Sequence, residues 1–493
     1  MTNNKLQSFI SRVFSGPWLF KKKTDPVDSQ YEKLKSYETS EAENDIPVVV
    51  TIDDILDDIG LASFHVKFFF LLGCINMLDA LEVSMISIVS PVVKSEWNLS
   101  IWEEAMVPLV ATCGMIIGSS IFGWICDQYG RKRAFLASSA CILCFGLASF
   151  LAVNYYLLLL FLFLTGFGLA TVTQVITMAE EFLPKLYRTK FAILTSLFWT
   201  LGFFISAIAG EYIDVLGFRA ALALVCIPTA IFLIVGMPFL PESPRYSLAS
   251  GDNEKALIIL QKMAPKNMAA KFQNWRLYKN VDVPLQRGNV VELFRHGYGK
   301  ITCCLWLLWF VSSLSYYFII FSTTELATNK ISLNSEQTEL KTTNYYFTLA
   351  WICLPEIFLI LFTTFGSHFF GIKTLMLVNT MIAALLQAIV LLVGFNYKTT
   401  AVILLGLSRG FMESQITLTL IYTSEVYPTA IRGVGMGISF SVGRTGMIVG
   451  PFIAQTLFQN THFIGALVNF CSLVLALVAI ACLPFRSKNQ MLE

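Results

Sequence analysis

Six ionisable side chains stand inside long apolar stretches of this chain: Asp79 and Glu82, Glu356, Arg409 and Glu413, and Arg444. A charge at membrane depth costs on the order of 3 kcal/mol by insertion scales, so each one asks for a partner or a purpose. Asp79 and Glu82 are three residues apart and share one helix face. Two carboxylates that close in low dielectric cannot both ionise cheaply, so one is expected to hold a proton or meet a cation. The bland alternative is a structural tie, to backbone donors or to the two arginines. Arg409 and Glu413, four apart, either neutralise each other or serve a ligand. Glu356 follows Pro355 without a partner in its own helix, which leaves a coupling carboxylate and a neutral packed group as equal readings. Arg444 lies in Gly443-Arg444-Thr445-Gly446, where small neighbours permit close helix approach. It is the best single candidate for gripping an anionic group or a facing carboxylate. With all six ionised, this layer of four acids and two bases is net negative, which tilts the expectation toward a cationic substrate or proton coupling. Trp199, Tyr316 and Tyr317 offer cation-π walls, or ordinary packing in a chain that is 14% aromatic.

The elements that must hold these groups follow from composition. Of 493 residues, 55% are hydrophobic and 14% charged, and the mean hydropathy is +0.65, far outside soluble usage. At roughly 20 apolar residues per span, the chain offers about twelve membrane helices and reads as an all-α membrane protein. The first six lie near 68–93, 104–126, 133–153, 156–178, 191–213 and 220–240. The second six lie near 301–324, 345–365, 373–395, 400–424, 433–457 and 463–484.

The two sets look duplicated. Glu181-x-x-Pro184-x-x-x-Arg188 returns as Glu425-x-x-Pro428-x-x-x-Arg432, each member 244 residues later, and the same ungapped offset places Gly166-Phe167 on Gly410-Phe411 and Gly202 on Gly446. A repeated bundle of hydrophobic helices is the layout of a secondary transporter, with the site between the repeats. The expected organisation is an N-terminal tail over 1–65, six-helix bundles over 66–240 and 300–485, a linker over 241–299 and a C-terminal tail over 486–493.

Lys and Arg in the short connections, Arg131 to Arg133 and Lys185 to Lys190 among them, set both termini and the linker on the cytoplasmic side. Gly123-x-x-x-Asp127-x-x-Gly130-Arg131 joins the second and third spans. It reads as a gate latch: a tight turn at Gly130, a carboxylate near a helix end and cations able to bridge to neighbouring helices. Glu181, Arg188, Glu425 and Arg432 straddle their turns and read as gate elements too. Thr51 to Gly60 has a capping threonine, apolar residues at helical spacing and a closing glycine, and reads as a short amphipathic helix, with the rest of the tail disordered. Asn98-Leu99-Ser100 fits a glycan acceptor on the far side. The eleven cysteines read as small buried hydrophobes, neither disulfides nor metal ligands, and the four histidines are scattered. With no nucleophile-base pair, phosphate loop or basic patch in view, the expectations are no enzyme, no cofactor and no nucleic-acid partner.

Gly123 to Lys132 resembles the loop signature of the major facilitator superfamily. Met77 to Glu82, Ala179 to Pro184, Leu240-Pro241-Glu242-Ser243-Pro244-Arg245-Tyr246, Ser315-Tyr316-Tyr317, Ser424 to Thr429 and Gly450 to Gln455 are similar to its synaptic vesicle two-related branch, over about residues 51 to 485. The resemblance implies a twelve-helix fold, a central cavity lined or flanked by the first, seventh, tenth and eleventh helices, and a vesicle or surface membrane. Three departures stand out. Leu162 replaces an expected arginine, His368 to Lys373 depart from the second loop signature, and Phe485-Arg486 replace a carboxylate after Leu483-Pro484. The expected function is a monomeric transporter or facilitator for a small organic ion or metabolite, with or without protons. The alternative is a non-transporting vesicle protein that acts as a binding or trafficking partner.

Overall fold

The structure is a computed structural model. It describes residues 48–484, apart from 170–174, 176–177, 180, 266–267, 269–271, 273–274, 278–289, 296, 333–341, 368, 394–397, 428 and 459–460. By internal contacts the chain divides into two compact units. One comprises residues 1–70, 177–190 and 241–283; the other comprises 71–176, 191–240 and 284–493.

The first, smaller unit is built from local signals. Thr51 caps α1 (Ile52–Ile59): its hydroxyl accepts from the Asp54 amide while the Asp54 carboxylate reaches back to the Thr51 amide, so two otherwise orphaned donors are satisfied. Ile52, Ile55, Leu56 and Ile59 recur at helical spacing and form the buried face. Two linker helices follow the same logic, α8 (Pro244–Ala249) behind a Ser243 cap and α9 (Asn253–Met263) behind an Asp252 cap. The tail is structured further back than expected: strand β1 (Val48–Val50) pairs in parallel with β2 (Trp275–Leu277), Val48 opposite Trp275.

The larger unit carries the membrane helices. Among the described residues, eight helices are long and apolar enough to cross a bilayer. They are α2 (Ser63–Trp97), α3 (Ile101–Tyr129), α4 (Arg131–Ala148), α6 (Lys185–Gly210), α7 (Ile213–Ile231), α10 (Gly299–Ser332), α12 (Ile372–Val393) and α15 (His462–Cys482). The shorter apolar helix α5 (Tyr155–Gly168), α11 (Thr342–Gly366), and the more polar α13 (Lys398–Val426) and α14 (Thr429–Ile453) complete the twelve positions. The turn between α3 and α4 is a single residue, Gly130, at φ 96°, where an L side chain would be strained.

Lipid is as apolar as leucine, so these helices are held by close packing more than by expulsion of water. The duplicated glycines show where. A Cβ on Gly166 would come within 2.0 Å of the Ala111 carbonyl oxygen, which packs the fourth helix on the second. Its counterpart Gly410 packs the tenth on the eighth, 3.0 Å from Glu356 Cα. Gly202 would meet the Met77 carbonyl oxygen at 2.5 Å, the fifth helix on the first, and Gly446 that of Phe310 at 2.2 Å, the eleventh on the seventh. Each glycine of a duplicated pair thus does the same job at the equivalent helix contact. Within the second repeat, α10 packs most extensively on α14 and also on α13 and α15, around Leu305, Leu308, Leu418 and Ile480.

None of the eleven cysteines, all among the described residues, is in a disulfide. Cys126, Cys226 and Cys353 are buried as expected, whereas Cys144, Cys303, Cys471 and Cys482 are exposed. An apolar run has a lipid face as well as a packed one, so a span residue need not be interior.

Candidate functional site

The six charged residues singled out in the sequence lie in the larger unit, and one of the pairs that spacing suggests, Arg409 with Glu413, gives way to a partner on another helix. Arg409 turns away from Glu413 toward the neighbouring helix: its Nε lies 3.1 Å from Glu356 Oε2, with both side chains buried. Glu356, without a partner in its own helix, therefore has one across the α11–α13 contact. Two further interactions hold the guanidinium. Phe203 of α6 lies under it at 4.2 Å to the ring centroid, and Nη1 reaches Cys353 Sγ at 3.8 Å. Nη2 makes no hydrogen bond among the described residues.

The walls come from helical periodicity. Ser196, Trp199, Thr200 and Phe203 recur at i, i+3, i+4 and i+7 on α6. Trp199 Nε1 donates to the Tyr316 hydroxyl at 2.8 Å, Ser196 shares a 2.8 Å hydrogen bond with Thr417, and Thr200 flanks Glu356. Glu413 lies beside Tyr316 and Ser196. Tyr316 and Tyr317 are buried edge to face, centroids 5.5 Å apart. Tyr317 stands within electrostatic reach of Asp79 and Arg444 on one side and of Glu413 and Arg409 on the other, and so bridges the two charge groups.

Asp79 and Glu82, on one helix face, lie within electrostatic reach of each other, and each also meets a different neighbour. Asp79 is 2% exposed, lies within electrostatic reach of Glu82 first and Arg444 second, and its Oδ2 makes no hydrogen bond among the described residues. Glu82 instead packs against the helices behind it, taking a 3.8 Å contact from the Cys226 thiol and lying beside Gly146. Arg444 Nη1 donates to the Met115 carbonyl at 2.5 Å, which ties α14 to α3. Leu162, at the departure in α5, is buried.

A small cavity of ≈ 20 Å³, about the room one water needs, opens next to this cluster. Its polar wall is Ser84, Ser87, Thr323, Thr324, Cys353 and Arg409; Ile88, Phe203, Ala207 and Ile320 supply the rest. The hydroxyls do not stand out in the sequence, where charges and aromatics carry the expectation. The available signal was position, since Ser84 and Ser87 extend the Asp79 helix and Thr323 and Thr324 lie two turns beyond Tyr316 and Tyr317. A half-buried pair was missed as well: Lys94 Nζ sits 2.6 Å from Glu104 Oε2, and Glu104 is 1% exposed.

The gate residues divide. Gly130 closes α3 by donating to Cys126 O at 3.1 Å, and Arg131 Nη1 donates to the same oxygen at 3.1 Å. Nothing would crowd a Cβ at Gly123. The side chains of Asp127 and Arg432 lie outside the described residues. In the smaller unit, Arg188 donates from Nε to Leu183 O at 2.9 Å and from Nη2 to Asp53 Oδ1 at 2.8 Å. Arg245 reaches the same oxygen at 2.7 Å. Asp53 belongs to the capped tail helix, so its partners come from two distant motifs. These groups are partly exposed, and each pair is worth up to about 1 kcal/mol. Glu181 and Glu425 are half-buried. Asn98 is exposed with φ 51°, and the Ser100 hydroxyl of its tripeptide is committed to capping α3, accepting from Glu103 N and donating to Glu103 Oε2 at 2.8 Å. Among the described residues no cluster of His, Cys, Asp and Glu could hold a metal.

Comparison with known proteins bears on the fold and family. The family described as "Sugar (and other) transporter" matches residues 69–493. The synaptic vesicle 2-related proteins of Xenopus laevis and Rattus norvegicus are 32% and 31% identical over 456 residues, covering 90% of this chain and 82% of theirs. A solved structure of the Escherichia coli xylose transporter XylE in a partially occluded inward-open conformation superposes with a TM-score of 0.67 at 17% identity, over 85% of this chain and 97% of that one. At that identity the likeness speaks for the fold alone. A duplicated set of apolar helices around buried charges, together with the family match and these relatives, leads to one conclusion: the chain belongs to the sugar (and other) transporter family of the major facilitator superfamily and is a multi-pass membrane transporter, not an enzyme.

Proposed function

We propose that the protein is a secondary transporter that moves a small organic ion or metabolite by alternating access. In this reading residues 66–240 and 300–485 are the two rocking bodies, 241–299 is the hinge, and the tails over 1–65 and 486–493 are both cytoplasmic. The observation that carries it is convergence: Asp79 from the first repeat, and Glu356, Arg409, Glu413 and Arg444 from the second, surround Tyr316 and Tyr317 beside a cavity. Burying that many charges is costly, and a protein with nothing to move has no reason to bear the cost. Asp79 is the proposed coupling group. Its Oδ2 makes no hydrogen bond among the described residues, so gain or loss of a proton there changes the charge that faces Arg444 without breaking a network.

The cytoplasmic-side motifs, Gly123, Asp127, Gly130 and Arg131 in one and Glu181, Arg188, Glu425 and Arg432 in the repeated other, are the proposed gate elements. The tail helix takes part through Asp53. A vesicle membrane is the proposed location and a monomer the proposed state. The test is uptake of a panel of labelled small organic ions into proteoliposomes under imposed pH gradients. The expected result is gradient-driven uptake that Asp79→Asn and Arg444→Ala abolish. Ligands that bind the purified protein but never cross, whatever the gradient, would leave a non-transporting binding partner instead.

A further inference from the structure

Four cysteines of the membrane helices are exposed, and two of them stand at helix ends. Cys482 is the last residue of α15, and Cys303 lies one turn into α10. These two ends pack together: Cys304 stands beside Cys482, and Leu305, Leu308, Ile480 and Leu483 form the core beneath them. Thiols from the first and last helices of the second repeat thus share one patch. The other exposed thiols, Cys144 and Cys471, lie deep in the apolar layer, about 20 and 16 Å along α4 and α15 from the ends that the proposed orientation makes cytoplasmic.

The patch is held in place and flanked by cations. Lys373 of α12 donates from Nζ to the carbonyl oxygens on either side of Cys482, those of Ala481, at 3.1 Å, and Leu483. An ammonium on the last carbonyls of a helix is favourable. The Tyr422 hydroxyl adds a 2.9 Å hydrogen bond to Pro484 O, which fixes the chain just beyond the thiol. Lys373 is within electrostatic reach of Cys482 and Lys300 of Cys304, and in sequence Arg295 precedes the patch and Arg486 and Lys488 follow it. Such a cluster attracts a donor that carries phosphates. From Cys482 an apolar stripe runs back along α15, where Val478, Leu475, Val474, Cys471 and Leu467 are exposed at helical spacing. The stripe is about 22 Å long, more than the roughly 15 Å of hydrocarbon in one leaflet. A thiol at the water end of so long a lipid-facing track is placed to carry a hydrocarbon chain.

We propose that Cys482 and Cys303 are S-acylation sites, each taking a long-chain fatty acyl group from acyl-CoA. Cysteines at the membrane border are the usual acceptors of such chains. In the transfer the cysteine sulfur, as thiolate, attacks the carbonyl carbon of the acyl-CoA thioester. A new carbonyl–sulfur bond forms as the bond to the CoA sulfur breaks, and coenzyme A leaves with the proton that the cysteine gave up. The exchange of one thioester for another consumes no oxidant or reductant. Cys144 and Cys471 are out of reach of a donor in water. The proposal rests on the cytoplasmic placement of the linker and C-terminal tail proposed above, because acyl-CoA is on that side, and it is independent of any substrate.

The test is acyl exchange on the full-length protein expressed in cells. Free thiols are blocked with N-ethylmaleimide, thioesters are cleaved with neutral hydroxylamine, and the thiols released are tagged with maleimide-polyethylene glycol and counted by gel shift. The wild type should show singly and doubly tagged species that depend on hydroxylamine. Cys482→Ser and Cys303→Ser should each remove the doubly tagged species, and the double variant should lose both species. Cys144→Ser and Cys471→Ser should change nothing. No hydroxylamine-dependent shift in the wild type, or one that survives the double variant, overturns the proposal; a single tag lost in only one of the two variants overturns it for the other cysteine. A shift that needs dithiothreitol in place of hydroxylamine assigns the thiols to a disulfide and overturns it as well. A C-terminal epitope tag separates these failures from that of the orientation. With the tag open to antibody in digitonin-treated cells, a missing shift sinks acylation alone; a tag hidden until internal membranes are dissolved sinks orientation and acylation together. Uptake without acylation leaves the transport reading standing, and acylation without uptake leaves this one.

Discussion

The acidic residues of the two repeats are held in different ways. In the second repeat Glu356 and Arg409 come from adjacent helices and stand in direct contact, 3.1 Å apart and almost fully buried. In the first, Asp79 faces Arg444 without a hydrogen bond to Oδ2, and Glu82 is turned to a thiol. A buried carboxylate thus ends in a closed ion pair with the neighbouring helix in one place, and beside a second carboxylate and within reach of an arginine in the other. Spacing along a helix fixes the face a side chain leaves from; the helix packed against that face decides what it meets. A closed pair is costly to break, because either partner alone is a buried charge without compensation. A carboxylate that is not locked can change its protonation or partner at small cost, which is what a coupling step requires.

The comparison breaks most visibly through the closed pair. Arg409→Met should destabilise the protein by about 3 to 5 kcal/mol, since Glu356 is left buried and uncompensated. The double variant Glu356→Gln/Arg409→Met should recover most of that loss, because the orphaned charge is gone. Thermal unfolding of the purified variants reads both. A double variant no more stable than Arg409→Met would show that the pair is not the unit described above. Arg444→Met comes next at about 2 kcal/mol, the worth of a charged donor's bond to the Met115 carbonyl. Asp79→Asn should move stability by less than about 1 kcal/mol, since the replaced oxygen has no hydrogen bond to lose among the described residues. It should nevertheless abolish uptake. A large fall in stability would place Asp79 with the locked pair.

The same contrast explains what could be read from residues alone. The repeat was legible because glycines that let backbones touch tolerate nothing else: Gly166 and Gly410, or Gly202 and Gly446, keep their offset because each holds an equivalent helix contact. The charged positions were legible as costs, but their partners were not. Glu356 has nothing suitable within its own helix, and only the α11–α13 packing supplies Arg409. The Asp53 clasp was hidden for a related reason, since Arg188 and Arg245 lie 135 and 192 residues away in the chain. The β1–β2 pairing rests on three residues on each side and stays below any periodic signal. Hydroxyl walls are hardest to see, because serine and threonine satisfy themselves within any helix and announce nothing by spacing.

Glu82→Gln is the smallest change and tests the first repeat from within. The amide is isosteric with the carboxyl, keeps an oxygen for the Cys226 thiol and disturbs no ion pair among the described residues, so stability should stay within about 0.5 kcal/mol. Uptake should also survive, in contrast to Asp79→Asn three residues earlier. The two positions share a helix, a burial and a chemistry and feel each other's charge; they differ in their further neighbour, Arg444 for Asp79 and Cys226 for Glu82. If Glu82→Gln stops transport while the protein stays folded, the two carboxylates act as one titrating pair through the helix. The distinction between the carboxylate that faces Arg444 and the one that faces Cys226 then fails for the first repeat, and any coupling role passes from Asp79 alone to the pair.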